Sequence, residues 1–392
     1  MRILLIHNRY LQPGGEDTVF EAERALLERY GHEVITFVED NARLNVINPL
    51  KAAVDTVWSR EAQRKIRKLI EETKPDIVHF HNTFLRISPA AYYACKEARV
   101  PVVQSLHNQR MFCPKATMWR NGRVCEDCVG RAFPWPAIFH ACYRNSRLQT
   151  TVVASMVALH RWLKTWIRTV DIYIIFTNFF KNKFIEWGLP ADKLVVKPHF
   201  VYPDPGMRSE STGQYALFIG RLDLEKGVET LLKAWQYLPN VPLKIRGNGR
   251  LFNDVATASR QMPAIKLIPG FLSKAELMHL IKGAKFLVWP SEGWYENFGL
   301  VAIEAFACGV PVIASRIGAM AEIVEDGRTG LLFEPGDPED LAEKVAWAWA
   351  HPEEMAEMGQ EARREYEAKY TAERNYEMLM AIYERAMASH SV

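Results

Sequence analysis

The chain has 392 residues, of which 48% are hydrophobic, 24% charged and 11% aromatic, and its formal net charge is +3 at pH 7. That length exceeds what one core usually organises, so two domains are expected, and the composition is that of a globular enzyme rather than a disordered or fibrous chain. The small, dispersed charge argues against nucleic acid as a partner, and no apolar run reaches the roughly 20 residues needed to cross a bilayer.

The opening "MRILLIHNRY" reads as a strand, not a signal peptide, because it has neither a long apolar stretch nor a small-residue cleavage site. The expected location is the cytoplasm. Short Val/Ile/Leu-rich runs then alternate with amphipathic segments. The first half offers "RILLIH", "HEVITFV", "DIVHFH", "PVVQSLH" and "DIYIIFT". The second offers "YALFIG", "VPLKIRG", "AIKLIPG", "KFLVWP", "PVIAS" and "GLLFEP". Such alternation predicts parallel sheets covered on both faces. The pattern restarts near Tyr215, after "KPHFVYPDPGMRSESTGQ", which reads as a linker. The expected fold is α/β, with two Rossmann-like doubly wound domains facing across a cleft. The first covers 1–200 and the second 201–370. A C-terminal helix over 371–392 either pads the second domain or crosses back to the first. Ligands of such sheets gather at the carboxyl ends of the strands.

In the first domain, "RYLQPGGEDT" follows the first strand, and Gly14 and Gly15 would let a ligand approach the backbone closely. A plain flexible loop is the alternative. His107 follows the strand "VPVVQSL"; taken alone, a single histidine there is more often structural. An insert over 108–145 carries Cys113, Cys125, Cys128 and Cys142, spaced C-x11-C-x2-C-x13-C. A C-x2-C knuckle flanked by two further cysteines suits a four-thiolate structural zinc site, and a reducing compartment disfavours disulfides. Free or redox-active thiols and an iron–sulfur cluster are the alternatives. Cys95 and Cys308 lie in apolar helical stretches and read as core. The run "LHRWLKTWIRTVDIYIIF" interleaves Trp162 and Trp166 with Arg161, Lys164 and Arg168, and a basic helix "WSREAQRKIRKLIEE" lies upstream. Interfacial helices have this composition, which adds a possible peripheral position on the inner face of a membrane. Tryptophans packed into the core are the alternative.

In the second domain, "GRLDLEKG" brings Arg221 and Lys226 to a strand end just before a helix, an arrangement that suits a diphosphate. "RGNGR" resembles part of a dinucleotide fingerprint but lacks its third glycine, so a tight turn explains it equally well. Gly270, Phe271 and Leu272 form a loop that could hold a base through its backbone, with Ser273 as the cap of the next helix. In "SEGWYENFGLVAIEAFACGVPVIAS", the amides near Phe298, Gly299 and Leu300 fall at a helix start, where their N–H groups lack intrahelical acceptors. Glu296 lies just ahead of that start and Glu304 a turn and a half inside. Carboxylates suit sugar and ribose hydroxyls because they accept hydrogen bonds with defined geometry. A buried acid paired with a cation is the bland alternative for Glu304.

The E-x7-E spacing of Glu296 and Glu304, together with "FGL", "EAFACGVPVIAS", "DGRTGLLFEPGDPEDLA" and "GRLDLEKG", resembles the retaining family 4 glycosyltransferases of the GT-B fold, of the type found in bacterial polysaccharide biosynthesis. The resemblance covers essentially the whole second domain. It implies that Glu296 contacts the donor sugar and Glu304 the nucleotide ribose. It further implies that Arg221 and Lys226 hold the diphosphate, that Gly270 to Leu272 meet the base, and that Asn297 with the amides of Phe298 to Leu300 cradles the donor phosphate. Gly14 and Gly15 would lie under the donor diphosphate, and His107 near the sugar. One departure stands out: the family usually continues His-Asp where this chain has His107-Asn108, which puts a carboxylate at that step in doubt.

The implied activity is transfer of a sugar from a UDP- or GDP-linked donor to a glycan or polyprenyl-linked acceptor, with retention at the anomeric carbon. No D-x-D spacing occurs in the chain, so no metal is expected at the donor diphosphate, and no catalytic cofactor is expected at all. A nucleotide-sugar epimerase of the same fold and a non-catalytic sugar-binding or assembly protein remain as alternatives.

Overall fold

In the computed structural model, every residue is described except 12–13, 43–47, 210–212, 271, 295 and 391–392. The chain divides into two compact units. Unit 1 comprises Met1–Met118, Cys125–Lys197 and Tyr376–Val392; unit 2 comprises Trp119–Val124 and Pro198–Asn375.

Unit 1 is built on β1 (Arg2–Arg9), β2 (Glu33–Asp40), β3 (Ile77–Phe80) and β4 (Val102–Ser105). A two-residue hairpin, β5 (Trp119–Arg120) and β6 (Arg123–Val124), interrupts the series and is grouped with unit 2. β7 (Ile172–Ile175) and β8 (Leu194–Val196) complete the sheet of unit 1, whose order is β2-β1-β3-β4-β7-β8 with every pairing parallel. Ile3, Leu4, Leu5 and Ile6 are all fully buried. Consecutive residues of a strand point to opposite faces, so both faces of this sheet are covered, as expected from the unbroken apolar run.

Unit 2 repeats the plan with β9 (Tyr215–Ile219), β10 (Leu243–Arg246), β11 (Ile265–Ile268), β12 (Ala284–Trp289), β13 (Val312–Ser315) and β14 (Gly330–Phe333). The order is β11-β10-β9-β12-β13-β14, again all parallel. The fold expected from the sequence, two doubly wound α/β domains, is the one observed.

In each unit the chain reverses its direction of winding once. The reversal falls between β1 and β3 in unit 1 and between β9 and β12 in unit 2. The crevice outside the carboxyl ends of those strands is where open α/β sheets bind ligands. Gly14, Gly15 and the residue pair His107-Asn108 lie at strand ends on this side of unit 1, and Arg221, Lys226 and Glu296 follow β9 and β12 in unit 2.

The last helix, Ala372–His390, is tied to unit 1 from Tyr376 onward. Tyr376 stacks on Tyr30 with centroids 3.6 Å apart and pairs its hydroxyl with His32 Nε2 at 2.8 Å. Among the described helices, none is long and apolar enough to cross a membrane.

Candidate functional site

The unit 2 crevice is shaped by glycines that allow loops to touch. A Cβ on Gly299 (φ +88°) would lie 2.1 Å from the Trp289 ring, and one on Gly227 (φ +68°) 1.8 Å from the Pro290 carbonyl oxygen. Only glycine holds both the left-handed backbone and the close approach. The two glycines of "RGNGR" serve the same end: Gly247 packs on the Gly220 carbonyl and Gly249 on the Leu222 backbone. This loop is a tight packing element beside the Arg221 loop rather than a dinucleotide fingerprint.

Gly299 starts the helix Leu300–Ala307. Phe298 is buried just before it, edge-on to His199 at 5.1 Å and to Tyr370 at 5.8 Å, which fixes the direction of the helix amino end. The first amides of that helix have no intrahelical acceptor, and the aligned peptide dipoles favour an anion there. Asn297 is buried beside them.

Glu296 stands at the mouth of this arrangement. Its Oε2 pairs with the Lys226 ammonium, accepts from the Trp289 indole N–H at 3.3 Å and lies 3.5 Å from Ser291 Oγ. Burial pushes the carboxyl upward, but Lys226 and the indole outweigh it and hold it below the ordinary carboxylate range. Glu296 is therefore an ionised, oriented acceptor. Arg221 is half exposed and lies 3.4 Å from Asp223 and 3.6 Å from Glu225. Arg250 binds the same two acids at 3.1 and 3.3 Å. Asp223 and Glu225 thus steer two guanidinium groups beside the loop after β9. Sequence reasoning missed both acids; their signal is the alternation of acids and cations in "RLDLEKG".

Glu304 differs sharply from Glu296. Burial raises its carboxyl to about 7, opposed only by Lys274. Among the described residues, the Glu304 carboxyl has no hydrogen-bond or ion-pair partner, so it is not the acid of a structural ion pair. Gly270 has φ +83° with open space where a side chain would be, and Leu272 precedes Ser273, which caps the helix Lys274–Lys282 with a reciprocal bond to Glu276. Phe271 lies outside the described residues.

In unit 1, Gly14 caps the helix Gly15–Arg29 and donates its N–H to Asp17 Oδ2 at 2.8 Å; a side chain there would meet none of the described atoms within 4 Å. The space beyond β3 and β4 is a pocket open to solvent, lined in part by Asn82, Phe84, Tyr92, His107, Asn108 and Arg110. Although position 108 carries an amide, a carboxyl stands next to it. Glu16 accepts from Asn82 at 3.1 Å and bonds to Asn108, and burial pushes it up to about 8. His107 itself touches His81, Nε2 to Nδ1, at 3.1 Å. Sequence reasoning also missed the buried group beneath it: His79, His81, Glu23 and Lys197. Two signals were available: in "HFH" His79 lies in β3 and His81 two residues on, just past its end, and Glu23 sits in the apolar stripe of its helix with Val19, Phe20, Leu26 and Leu27.

All six cysteines are free thiols, and Cys95 and Cys308 are fully buried in the core. Cys113, Cys125 and Cys142 all act electrostatically on the Cys128 thiol, which burial chiefly, and then these neighbours, push up to about 12. The four are therefore neighbours around Cys128. Arg161 ties the segment together by donating to the carbonyls of Met111, Phe112 and Arg131 at 3.1, 3.1 and 2.8 Å. The Arg161 guanidinium thus turns inward onto loop carbonyls. Trp166 is likewise buried, whereas Trp162 is largely exposed. Among the described residues, the one His/Cys/Asp/Glu group whose ligand atoms lie within 4.8 Å of one another is Glu23, His79 and His81, so the four sulfurs are adjacent but not closed into a tetrahedron.

Two family matches divide the chain between them: residues 13–204 match Glycosyltransferase Family 4, and residues 207–365 match Glycosyl transferases group 1. The sulfoquinovosyl transferase SQD2 of Arabidopsis thaliana is 31% identical over 195 residues, 48% of this chain and 37% of that protein. A glycogen synthase of Mycobacterium tuberculosis is 36% identical over 151 residues, 37% of this chain and 36% of that one. The D-rhamnosyltransferase WbpZ of Pseudomonas aeruginosa is 26% identical over 276 residues, 63% of this chain and 70% of that one. The chain spans half or less of the length of the first two. Among solved structures, the sucrose-phosphate synthase of Thermosynechococcus elongatus aligns with a TM-score of 0.74 at 18% identity, covering 99% of both chains. Anabaena HepE in complex with UDP aligns at 0.67 and 17% identity, covering 98% of this chain and all of that one. With both units matched in order and the paired parallel sheets in place, the chain belongs among the glycosyltransferases of GT-B architecture.

Proposed function

We propose that this protein transfers a sugar from a nucleotide diphosphate donor to a glycan or polyprenyl-linked acceptor, with retention of anomeric configuration. The observation that carries the reading is the convergence, at the switch point between β9 and β12, of two cations, a helix amino end and two acids of opposite character. Glu296 is ionised beside Lys226, and Glu304 is held near neutrality. That set matches a sugar diphosphate: cations and amides for the leaving anion, carboxylates for the hydroxyls on either side.

In this reading Arg221, Lys226 and the amides of Phe298 to Leu300 stabilise the charge that grows on the diphosphate as the glycosidic bond lengthens. Glu296 orients the sugar, and Glu304 accepts from the ribose hydroxyls. Asn297, Gly270, Leu272 and Phe271 complete the donor site. Gly14, Gly15 and His107 are the residues of unit 1 assigned to the donor and its sugar. The leaving phosphate takes the acceptor proton on the face it vacates. Protein cations serve the diphosphate, so transfer is expected to survive chelation. UDP is favoured over GDP because HepE, a neighbour in fold, was solved with UDP. The cavity after β3 and β4 is assigned to the acceptor. Leu50, Val54, Leu148 and Trp162, exposed on helices that pack together, would suit the headgroup region of an inner membrane face if the acceptor is lipid-linked.

Cys113, Cys125, Cys128 and Cys142 are assigned to a structural zinc ion. The support is their gathering about Cys128 and the chemistry of four thiols, which suits zinc better than any other common ion. Zinc would draw the four sulfurs together and hold a segment with little regular structure.

The test is a panel of UDP- and GDP-sugars with lipid-linked and soluble acceptors, read by mass spectrometry and by NMR at the anomeric carbon. The reading predicts free nucleoside diphosphate together with a glycosylated acceptor of unchanged anomeric configuration. Donor epimerised without any acceptor, or no turnover of any donor, would contradict it.

A further inference from the structure

Arg110 stands apart in the unit 1 pocket because no acid there balances its charge. None of the described residues that line the pocket is Asp or Glu, and Arg110 is the one among them that is permanently charged. The polar groups around it are engaged within the protein. Gln104 donates to the carbonyls of His81 and Ser105 at 3.2 and 2.6 Å and accepts from the Tyr92 hydroxyl. Ser88 Oγ accepts from the Ser59 N–H at 2.9 Å, and Thr56 donates to the Ala52 carbonyl at 2.8 Å. His81 lies 3.3 Å from Glu23, whose charge is met by Lys197 at 2.9 Å. His79 pairs with the Tyr383 hydroxyl at 2.8 Å and so ties the last helix to β3.

The Arg110 guanidinium is held in a fixed plane. Its central carbon lies 3.7 Å from the centroid of the Phe84 ring and 5.7 Å from that of Tyr143, and the two rings meet edge to face at 5.7 Å. Nη1 donates to the Pro114 carbonyl at 2.7 Å, and the backbone N–H donates to Asn108 Oδ1 at 3.1 Å. Pro114 therefore takes one end of the fork. Nε is buried and finds no acceptor among the described residues, and Nη2 makes no hydrogen bond to any of them. Arg161 shows the contrast. As a bracket for a loop, it places all three of its nitrogens on carbonyls. Arg110 places one. Nε–H and Nη2–H point along the same edge of the planar group, and that edge grips a carboxylate or phosphate with two parallel bonds. A buried N–H left without an acceptor is costly, so an anion on this edge would remove a penalty as well as supply a contact.

Glu16 acts electrostatically on Arg110 but forms no ion pair with it among the described contacts. Burial keeps the Glu16 carboxyl protonated up to about pH 8, so near neutrality it leaves the cation uncompensated. Phe84, Met111, Met156 and Trp166 give the same pocket an apolar lining for the body of a ligand.

We propose that Arg110 is a specificity-determining residue of this pocket, and that its open Nε/Nη2 edge takes an anionic group of the acceptor, the carboxylate of an acidic sugar or a phosphate. The proposal deepens the glycosyl-transfer reading and rests on it for the pocket being the acceptor's.

The test is ¹H–¹⁵N NMR of the arginine side chains in the full chain, with the Arg110 Nε signal assigned by its loss in Arg110→Gln. The probes, added without donor, are methyl glucuronoside as a sugar acid, geranyl diphosphate as a soluble prenyl diphosphate, and methyl glucoside as the neutral control. At least one of the two anions should shift the Arg110 signal and bind on the order of 10-fold or more tightly than methyl glucoside. Arg110→Gln should abolish that preference. Arg110→Lys, which keeps the charge without the fork, should retain part of it, and it supplies the comparison should Arg110→Gln fold poorly. A response to the glucuronoside alone identifies a sugar acid, a response to geranyl diphosphate alone identifies a prenyl diphosphate, and a response to both shows that the charge itself is recognised. Neither anion preferred over methyl glucoside, or a preference unchanged in both variants, would overturn the proposal. If Arg110 holds the anion but no donor is turned over, the anion site stands and the transfer reading falls. If wild type and both variants transfer a sugar to a neutral acceptor equally well, the transfer reading stands and the proposal falls.

Discussion

Replacing Glu304 by glutamine should make the protein more stable at alkaline pH and worse at binding nucleotide. The carboxyl ionises near 4.5 in the unfolded chain and at about 7 in the folded one, because burial opposes its charge and Lys274 offsets little of that. Between those two values the native state holds a proton that the unfolded state has lost, so stability falls as pH rises through this window. The penalty is absent at pH 4, develops between about 4.5 and 7, and is complete by pH 8. At 1.36 kcal/mol per pH unit, the rise from 4.5 to about 7 amounts to roughly 3 kcal/mol. Glutamine matches the shape without the charge. Urea unfolding of wild type and Glu304→Gln at pH 4.5 and 8, without ligand, should give similar stabilities at the lower pH and a variant more stable by up to about 3 kcal/mol at the higher. Titration with UDP at pH 8 should show the variant binding more weakly, because one acceptor for the ribose hydroxyls is lost. A stability difference that does not change with pH, or a variant less stable at pH 8, would refute the burial argument. A residue that destabilises the empty protein and strengthens ligand binding is the signature of a functional acid.

Three other expectations concern the same architecture. Lys226→Met should leave Glu296 charged and unpaired in a mostly buried position, at a cost of about 2–3 kcal/mol in urea unfolding; adding Glu296→Gln should recover much of that loss, whereas simple additivity of the two changes would show that the pair is not coupled. Gly299→Ala would force a Cβ into the Trp289 ring at a left-handed φ of +88°. A loss of at least about 2 kcal/mol is expected, together with weakened UDP binding, and wild-type behaviour in both would show that the turn is not as tight as described. Metal analysis of protein purified without chelator should give about one zinc per chain, falling in Cys125→Ser/Cys128→Ser, and a metal-free wild type that folds normally would remove the zinc assignment.

The sheets were legible in the sequence because they are local, and so was the candidate donor-side cluster of cations and acids. Parallel strands buried on both faces leave continuous apolar runs, and the Arg221, Lys226, Glu296 and Glu304 positions each follow or enter an element whose boundary the glycines mark. Two elements escaped for lack of length. The hairpin β5–β6 has two residues per strand, and β8 has three, too few for a period-two pattern to show. The buried polar cluster beneath His107 escaped for a different reason. Glu23, His79, His81, Lys197 and Tyr383 are far apart in sequence and meet only because the sheet sets β3 beside β1 and the final helix returns to unit 1. The place of Arg161 was open for a related reason: a cation amid tryptophans has the composition of an interfacial helix, and a guanidinium with five donors serves equally well as a bracket for loop carbonyls.

The most direct test of the account is where a nucleoside diphosphate lies when bound. A crystal structure with UDP should show the phosphates between Arg221, Lys226 and the amides of Phe298 to Leu300, with the ribose on Glu304 and the Lys226–Glu296 pair opened toward the ligand. UDP bound in the cavity of unit 1, or anywhere away from the loop between β12 and the helix Leu300–Ala307, would contradict it.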